Sequence, residues 1–410
     1  MPNLFEGLTG QKSDPVEAQN GLRHIVALSL SKVADGLIDP KLVLSWLLGV
    51  LGAPAVFIGM LVPIREAGAL LPQIAMAGIL QRRRQRRWVW VLGSAGQGVA
   101  ALLIALAALT LAGWAAGLAI CGILAGLAVS RAACSVSYKD ILGKTVGKTR
   151  RGTVTGAAGS VSSAAVFVFA LLLVSGVLQN ERAVIAAIAV AGVLWLLAAA
   201  VLGRLREEDS ATDGRADAES YLKILKDDRN LRQFILVRGL LVSTALAPPY
   251  LVVLGTRSGA EALGMLGGLV LASSAAGFVS SYVWGWLADR SSRIMLLLAG
   301  ILGALSMVLA IIAAVNGLAN VIWVIPSILF VLMVAYHGVR QARSTYLVDI
   351  SPEDRRSVNA AIANTAIGLI LLAVGAVGGA LTWLGPQAAL AGFAAMSLLG
   401  GLLALRLRDA

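Results

Sequence analysis

The chain has 410 residues, of which 58 % are hydrophobic and 14 % are charged, and its mean hydropathy is +0.83. Soluble domains contain about 45–50 % apolar and about 25 % charged residues, so this composition excludes an ordinary soluble protein. The formal net charge of +12 does not indicate nucleic-acid binding, because the basic residues lie between apolar stretches and form no nucleic-acid motif.

A polar segment begins the chain, and a series of apolar segments follows it. Residues 1–23 lack the basic start, the apolar core and the cleavage site of a signal peptide, so we expect a cytoplasmic tail. A membrane-spanning helix needs about twenty mostly apolar residues. Twelve segments meet this requirement: 24–46, 54–79, 88–111, 115–137, 153–177, 183–203, 233–255, 264–286, 294–315, 321–343, 360–383 and 387–405.

Basic residues alternate between the connections that join these spans. Clusters follow the second span, at 82–87, and the fourth span, at 139–151, whereas the odd-numbered connections hold only Arg182 and Arg257, besides Lys41 near the end of the first span. Cytoplasmic loops carry the excess of Lys and Arg. The pattern predicts a multi-pass protein of the inner (plasma) membrane with both termini in the cytoplasm.

The two halves of the chain show a weak internal repeat. Arg131 precedes Asp140 by nine residues, and Arg340 precedes Asp349 by the same spacing, at an offset of 209 residues. Repeats of six spans are a known plan for membrane carriers. Two further pairs match at nearly the same offset: Asp39-Pro40 with Pro248-Pro249, and Gly78-Ile79-Leu80 with Gly285-Trp286-Leu287.

The repeat and the charge pattern predict the domain organisation. We expect an N-terminal bundle of six helices at 24–203, a polar cytoplasmic linker at 204–231, a C-terminal bundle of six helices at 232–405 and a short cytoplasmic tail at 406–410. The predicted fold class is an all-α membrane protein with twelve transmembrane helices in two pseudo-symmetric bundles.

One connection carries a family signature. The sequence from Gly285 to Arg293 places Asp289-Arg290 four residues after a glycine and adds a further arginine, and it resembles the loop signature of the major facilitator superfamily. The resemblance implies a secondary transporter whose two bundles alternate in access. In the first half Arg82 stands where the signature has an acidic residue, so the corresponding contact should be missing there.

The resemblance also implies a cytoplasmic gate. Asp289 is expected to contact the start of the fifth span near Gly152, where a helix dipole stabilises a carboxylate. Arg290 and Arg293 can pair with cytoplasmic acids, and we expect Arg131 with Asp140, and Arg340 with Asp349, to belong to the same gate. Two alternatives stay open for Arg131 and Arg340: they hold an anionic substrate, or they reach the membrane interface.

Charged residues occur inside the first two spans. Lys32, Asp35 and Asp39 are spaced three and four residues apart, which places them on one face of a continuous helix, whereas Lys41 points elsewhere. Arg65 and Glu66 lie near the middle of span two. Each ionised group costs roughly 2.5–3.5 kcal/mol in a membrane, so these groups must pair or face water.

Two interpretations of this cluster stay open. It is either a set of salt bridges that fixes span one to span two, or a proton relay beside the substrate path. We expect Asp35 to be the coupling residue, because it lies nearest the bilayer centre, with Asp39 as second choice. Tyr250, Tyr336 and His337 are weaker candidates for substrate binding.

Several small residues are interpreted as packing residues without chemistry. Gly113 with Gly117, and Gly122 with Gly126, are spaced four apart in span four, which suits close contact between helices. The two cysteines, Cys121 and Cys134, are too few for a metal site or a disulfide framework.

These observations favour a secondary active transporter. Because its first span carries acids, we expect it to be coupled to protons and to export a small amphipathic or cationic compound. The alternatives are uptake of a small organic metabolite and a transport-silent sensor or scaffold of the same fold. An enzyme is disfavoured, because the sequence lacks HExxH, GxSxG and P-loop motifs. The expected partners are a small-molecule substrate, protons and membrane lipid, with no cofactor, metal or nucleic acid.

Overall fold

A computed structural model describes residues 5–7, 13–175, 180–209, 224, 226–255, 262–288, 291–351 and 356–408. Within these residues the regular elements are all helical. The helices are α1 Pro15–Leu37, α2 Val43–Val50, α3 Ala55–Leu70, α4 Gln73–Gln81, α5 Arg87–Thr110, α6 Gly113–Thr145, α7 Arg151–Val174, α8 Glu181–Gly203, α9 Arg229–Leu241, α10 Ser243–Leu246, α11 Pro248–Gly255, α12 Ala262–Ala288, α13 Ser292–Val315, α14 Val324–Ile350, α15 Arg356–Leu381 and α16 Pro386–Ala404.

Ten segments of the described chain are long and apolar enough to cross a membrane. One of them, Arg229–Gly255, runs through the three consecutive helices α9, α10 and α11. Predicted spans one and two are instead divided, into α1 with α2 and α3 with α4. The all-α class and the multi-pass architecture are confirmed, and the count of twelve stays a prediction.

The break in the first span has a local cause. Helix α1 ends at Leu37, because Pro40 cannot donate a backbone hydrogen bond and its ring clashes with a continuing helix. The Asp39 carboxylate accepts a hydrogen bond from the backbone nitrogen of Lys41 at 2.6 Å, which closes a turn. The prediction that Asp39 shares a helical face with Lys32 and Asp35 was therefore wrong.

Helix α1 also begins earlier than the predicted first span. Its first residue is Pro15, a favoured residue at the start of a helix. The side chain of Asp14 caps the helix by accepting a hydrogen bond from the backbone nitrogen of Val16 at 2.9 Å. Residues 15–23, which the sequence assigned to the cytoplasmic tail, therefore form the first turns of α1.

The helices form two groups that correspond to the two halves of the sequence. In the first group α1 packs on α7 and α8, α5 packs on α6 and α8, and α3 packs on α6. In the second group α13 packs on α14 and α16, and α12 packs on α14. The groups meet where α3 contacts α15, where α7 contacts α12, and where α2 contacts α11.

The outer surface of the molecule is apolar. Among its large exposed side chains are Leu92 and Leu118, which are 72 % and 69 % exposed, and Phe278, which is 85 % exposed. A continuous belt of such residues is unfavourable on a monomer in water, whereas it is stable in contact with lipid. The exposed apolar surface therefore supports a multi-pass integral membrane protein.

Glycines allow the two groups of helices to approach closely at the contact between α3 and α15. A Cβ at Gly375 would overlap the ring of Pro63, and a Cβ at Gly59 would lie 2.5 Å from the Tyr250 hydroxyl. Close approach through small residues is a general feature of membrane helices. In contrast, Gly122 and Gly126 have no described neighbour within 4 Å of a Cβ, so the predicted packing role of this pair was wrong.

We predict that Gly375→Ala destabilises the protein, because the added methyl group must displace Pro63 within a helix. Overpacking of this kind costs about 1–3 kcal/mol. The expected result is a lower midpoint of thermal unfolding for the purified protein in detergent. Gly126→Ala is the matched control, since it gains up to about 1 kcal/mol of helix propensity without a clash. Equal unfolding midpoints for the two variants would contradict close packing of α3 against α15.

Candidate functional site

An acid enclosed by two arginines joins three helices of the first half. Arg65 on α3 donates a hydrogen bond to the Asp35 carboxylate of α1 at 2.6 Å. Arg131 on α6 donates to both carboxylate oxygens of Asp35. The Arg65 side chain is only 7 % exposed. This Asp35 triad satisfies three ionised groups where lipid surrounds the protein.

A second polar cluster connects the two halves. The Lys41 ammonium donates a hydrogen bond to the Tyr336 hydroxyl of α14 at 3.0 Å and lies 4.1 Å from the centre of its ring. The same ammonium lies 3.9 Å from a carboxylate oxygen of Glu66 on α3. Lys41 and Glu66 belong to the first half and Tyr336 to the second, so this Lys41 bridge spans the interface.

The sequence analysis missed Lys41 because it assumed an uninterrupted first helix. On such a helix Lys41 would point away from the other charged residues, but the turn at Asp39 redirects it into the interior, where it is 8 % exposed. The available signal was Pro40, which predicts a break at this point.

A third polar link between the halves was also missed. Arg238 on α9 donates to the side-chain oxygen of Asn364 on α15 at 3.0 Å, and Asn364 donates to the side-chain oxygen of Gln73 on α4 at 3.1 Å. Arg238 is 5 % exposed. An isolated arginine within the apolar seventh span is itself a sign of function, and it could have been found that way.

A narrow cavity lies beside the Lys41 bridge, between the halves. Its volume is ≈ 20 Å³, which is room for one or two waters. In this conformation the halves are therefore too close to admit an organic molecule. The charged and aromatic residues of the wall are Glu66, Arg238, Tyr336, Arg340 and Arg343, and the apolar ones include Leu241, Val242, Val339, Ile367 and Leu371.

The predicted pairing of Arg131 with Asp140 does not form. The Asp140 carboxylate accepts from Arg86 at 2.6 Å and lies 3.3 Å from the Lys144 ammonium. Residues nine apart on one helix are separated by about 13.5 Å along its axis, so Arg131 and Asp140 cannot meet within α6. Asp140 instead fixes the arginine-rich end of the first half, and Arg131 belongs to the Asp35 triad.

The remaining gate residues are only partly described. Asp289 and Arg290, and the side chain of Asp349, lie outside the described residues. Arg293 directs its guanidinium towards the carbonyl oxygens of Leu405 and Leu407, each at 3.5 Å, within its own half. The contact of Asp289 with the start of α7 stays a prediction. Arg340 and Asp349 are nine residues apart on the single helix α14, so the argument against pairing Arg131 with Asp140 applies to them as well.

The weaker substrate candidates occupy different places. Tyr336 lines the cavity. The ring of His337 packs against the ring of Tyr336, with 5.3 Å between their centres. Tyr250 is 2 % exposed and packs edge-on against Phe393, away from the cavity wall. Lys32 faces α7, where its ammonium lies 3.6 Å from the position of a Cβ on Gly159.

Comparison with known families agrees with this architecture. The family model described as Major Facilitator Superfamily matches residues 26–339 and 260–410. The chain belongs to the major facilitator superfamily. The resemblance drawn from the loop signature is thereby confirmed.

Solved structures of other facilitators have the same fold. A mutant of the nucleoside transporter NupG superposes with a TM-score of 0.73 at 12 % identity, covering 95 % of this chain and 99 % of that one. A POT family transporter in complex with a thioalcohol-conjugated peptide gives 0.72 at 12 % identity, covering 94 % and 95 %. A bacterial homologue of the iron transporter ferroportin in an inward-facing state gives 0.63 at 15 % identity, covering 95 % and 98 %.

At these identities the neighbours establish the fold of this facilitator and leave its substrate open. No curated protein sequence is significantly similar to the chain. Among the residues that the structure describes, no group of three or more His, Cys, Asp and Glu side chains is arranged to hold a metal ion.

We predict that Asp35→Asn destabilises the facilitator, because Arg65 is buried and loses its counter-charge. Breaking a buried ion pair costs about 3–5 kcal/mol, and the partial exposure of Asp35 and Arg131 reduces this towards about 3 kcal/mol. The measurement is denaturant unfolding of the purified protein in detergent. The exposed Asp227→Asn is the control and should change the free energy of unfolding by less than about 0.5 kcal/mol. A silent Asp35→Asn would show that the triad does not stabilise the fold.

Proposed function

We propose that this facilitator is a secondary active transporter that moves a small organic molecule by alternating access, coupled to protons. The observation that carries the proposal is the Lys41 bridge, which joins the two halves beside a cavity lined by ionisable groups. Carriers built from two repeats bind substrate and coupling ion near the bilayer midplane, at interrupted helices. Here the interruption at 242–247 lines the cavity, and the one at 38–42 holds Lys41, which contacts the lining residues Glu66 and Tyr336.

The contacts between the halves can support alternation. The polar links between the halves at Lys41 and at Asn364 are single hydrogen bonds of 3.0 and 3.1 Å. The neutral Asn364–Gln73 bond contributes about 0.5–1.5 kcal/mol net, and the charged Lys41–Tyr336 bond about 1.5–3 kcal/mol. The α3–α15 and α7–α12 contacts are lined by glycines such as Gly375 and Gly267. Rigid halves joined by a few weak polar links suit a rocking motion about the cavity.

Glu66 is the carboxylate best placed to exchange a proton. It lines the cavity, its side chain is 34 % exposed, and its separation of 3.9 Å from Lys41 is longer than a hydrogen bond. Asp35, favoured by the sequence, is engaged by Arg65 and Arg131 and is not part of the cavity wall. We therefore assign coupling to Glu66 and a structural role to Asp35.

A protonation step at Glu66 has a direct consequence for the bridge. When its carboxylate is neutral, Lys41 loses the acid that it pairs with inside the first half, and the balance between that pair and the hydrogen bond to Tyr336 of the second half changes. The energy of this interaction therefore differs between protonated and deprotonated forms, as coupling requires. Exchange of the proton on opposite sides of the membrane would then bias the two conformations.

The location is part of the same proposal. We infer from the arginine-rich connections that both termini lie in the cytoplasm and that the membrane is the inner (plasma) membrane. The direction of transport, for which the first-span acids favour export, stays a prediction.

We predict that Glu66→Gln abolishes proton flux while leaving the fold intact. The full chain would be reconstituted in liposomes that contain a pH-sensitive dye, and acids, amines, sugars and amino acids would be added in turn. The wild type should move protons with one class of compound, and Glu66→Gln should lose this flux at an unchanged unfolding midpoint. Asp227→Asn should behave as the wild type, because Asp227 is an exposed carboxylate that does not line the cavity.

Two outcomes would contradict the assignment. Full proton flux in Glu66→Gln would remove Glu66 from the coupling step. Absence of flux in the folded wild type with every class of compound would favour the sensor or scaffold alternative over transport.

A further inference from the structure

The two halves treat equivalent arginines differently. An offset of 209 residues relates Arg131 to Arg340, and in the first half Arg131 is neutralised by Asp35. At the same offset Asp35 corresponds to Thr244, whose hydroxyl donates to the carbonyl oxygen of Leu241 at 2.8 Å. Thr244 lines the cavity together with Arg340. The second half therefore keeps the arginine but has lost the carboxylate that its repeat partner binds.

The cavity wall has more positive than negative charge. Arg238, Arg340 and Arg343 contribute three guanidinium groups, and Glu66 is the only carboxylate among the described lining residues. Within the described chain no ion pair includes any of these three arginines. Uncompensated charge of one sign is costly between membrane helices, so this wall is incomplete without an anion.

Arg238 supplies an independent sign of a missing ligand. Its Nε is buried and has no hydrogen-bond partner among the described atoms, although its Nη2 binds Asn364. Arg343 is close enough to Arg238 to repel its charge, and Glu66 is close enough to attract it. Buried donors are nearly always satisfied in proteins, and the Nε of Arg238, unlike the other unsatisfied guanidinium nitrogens of the described residues, belongs to a side chain that lines this cavity, so it can donate to an acceptor of a ligand there.

The alternative is that Arg340 and Arg343 simply extend to the membrane interface. Against this, they are three residues apart and Tyr336 is one turn earlier, so all three lie on one face of α14. That face contributes to the cavity wall, and Arg340 is also exposed on it. The position of these arginines therefore favours a ligand over an interfacial role.

We propose that Arg238, Arg340 and Arg343 bind the acidic group of an anionic substrate, which takes the place that Asp35 occupies in the first half. Guanidinium groups recognise carboxylates and phosphates through paired, charge-assisted hydrogen bonds. Once the halves move apart, the apolar part of the wall, which includes Leu241, Val339 and Ile367, lines the space for a hydrophobic body. The substrate class is thus an amphipathic organic acid, in place of the cation expected from the first-span acids. This inference rests on the proposed transport function.

Binding to the purified full-length protein in detergent tests the proposal. The probes share one apolar body: hexanoate, hexyl phosphate, hexanamide and hexylammonium, with phenylacetate and phenylethylammonium as an aromatic pair. A ligand of the folded state raises the unfolding midpoint by mass action at concentrations up to about 10 mM. We expect the acids to raise it and the amide and ammonium compounds to leave it unchanged. The relative effects of hexanoate and hexyl phosphate distinguish a carboxylate from a phosphate ligand.

Variants locate the binding site. Arg340→Gln and Arg343→Gln should each weaken acid binding by about tenfold to a hundredfold, the range for losing one hydrogen bond to a charged group. Arg340→Lys should retain part of the affinity, because lysine keeps the positive charge but cannot donate the two parallel hydrogen bonds of a guanidinium group. Arg182→Gln, an exposed arginine near the start of α8, should bind as the wild type does.

The outcomes separate this inference from the transport proposal, because binding in detergent needs no proton gradient. Acid binding that depends on Arg340 and Arg343, without transport in liposomes, supports the site and contradicts the transport function. Transport of an amine that is unaffected by the arginine variants supports transport and overturns the anion site. Equal stabilisation by acids, amide and ammonium, or none by any acid, also overturns the site.

Discussion

The constraint on which the structure depends is the cost of holding ionised groups among membrane helices. Each unpaired charge would cost roughly 2.5–3.5 kcal/mol, so the charged residues of the first two predicted spans cannot be scattered. Asp35 satisfies this constraint by accepting hydrogen bonds from Arg65 and Arg131, which lie on two other helices. The same triad therefore gives each of its three ionised groups a partner of opposite charge, leaves a net charge of +1, and fixes the relative positions of α1, α3 and α6.

The break in the first span extends this principle to the interface between the halves. Because α1 ends at Leu37, Lys41 enters the interior and meets Tyr336 of the other half. A polar bridge in a low-dielectric interior is stronger than the same contact in water, and its strength depends on the charge of its neighbours. Glu66 is the neighbour whose charge can change beside the cavity, which connects proton binding to the contact between the halves.

The two halves share a helical plan but differ in how their buried arginines are paired with acids. The first half balances its arginines with its own acid, whereas the second half leaves Arg340 and Arg343 facing the cavity without an ion pair among the described residues. A bundle with internally neutralised charges is suited to be a rigid frame, and a bundle with free guanidinium groups is suited to recognition. This difference lies in single residues such as Thr244, so the fold alone does not determine the substrate.

Hydropathy shows from the sequence that lipid surrounds most of this protein and that its class is all-helical, and the loop signature shows its family. The sequence also shows charged groups inside the first two spans that must be paired. These features can be read from the sequence because they are properties of contiguous residues. The tertiary structure decided which groups pair. It placed Arg131 on Asp35 instead of with Asp140, brought Lys41 to Tyr336, and brought Arg238 to a cavity with arginines about a hundred residues away. These contacts join residues far apart in the chain, and their geometry depends on where helices break and how closely glycines let them approach, which no spacing rule within one helix contains.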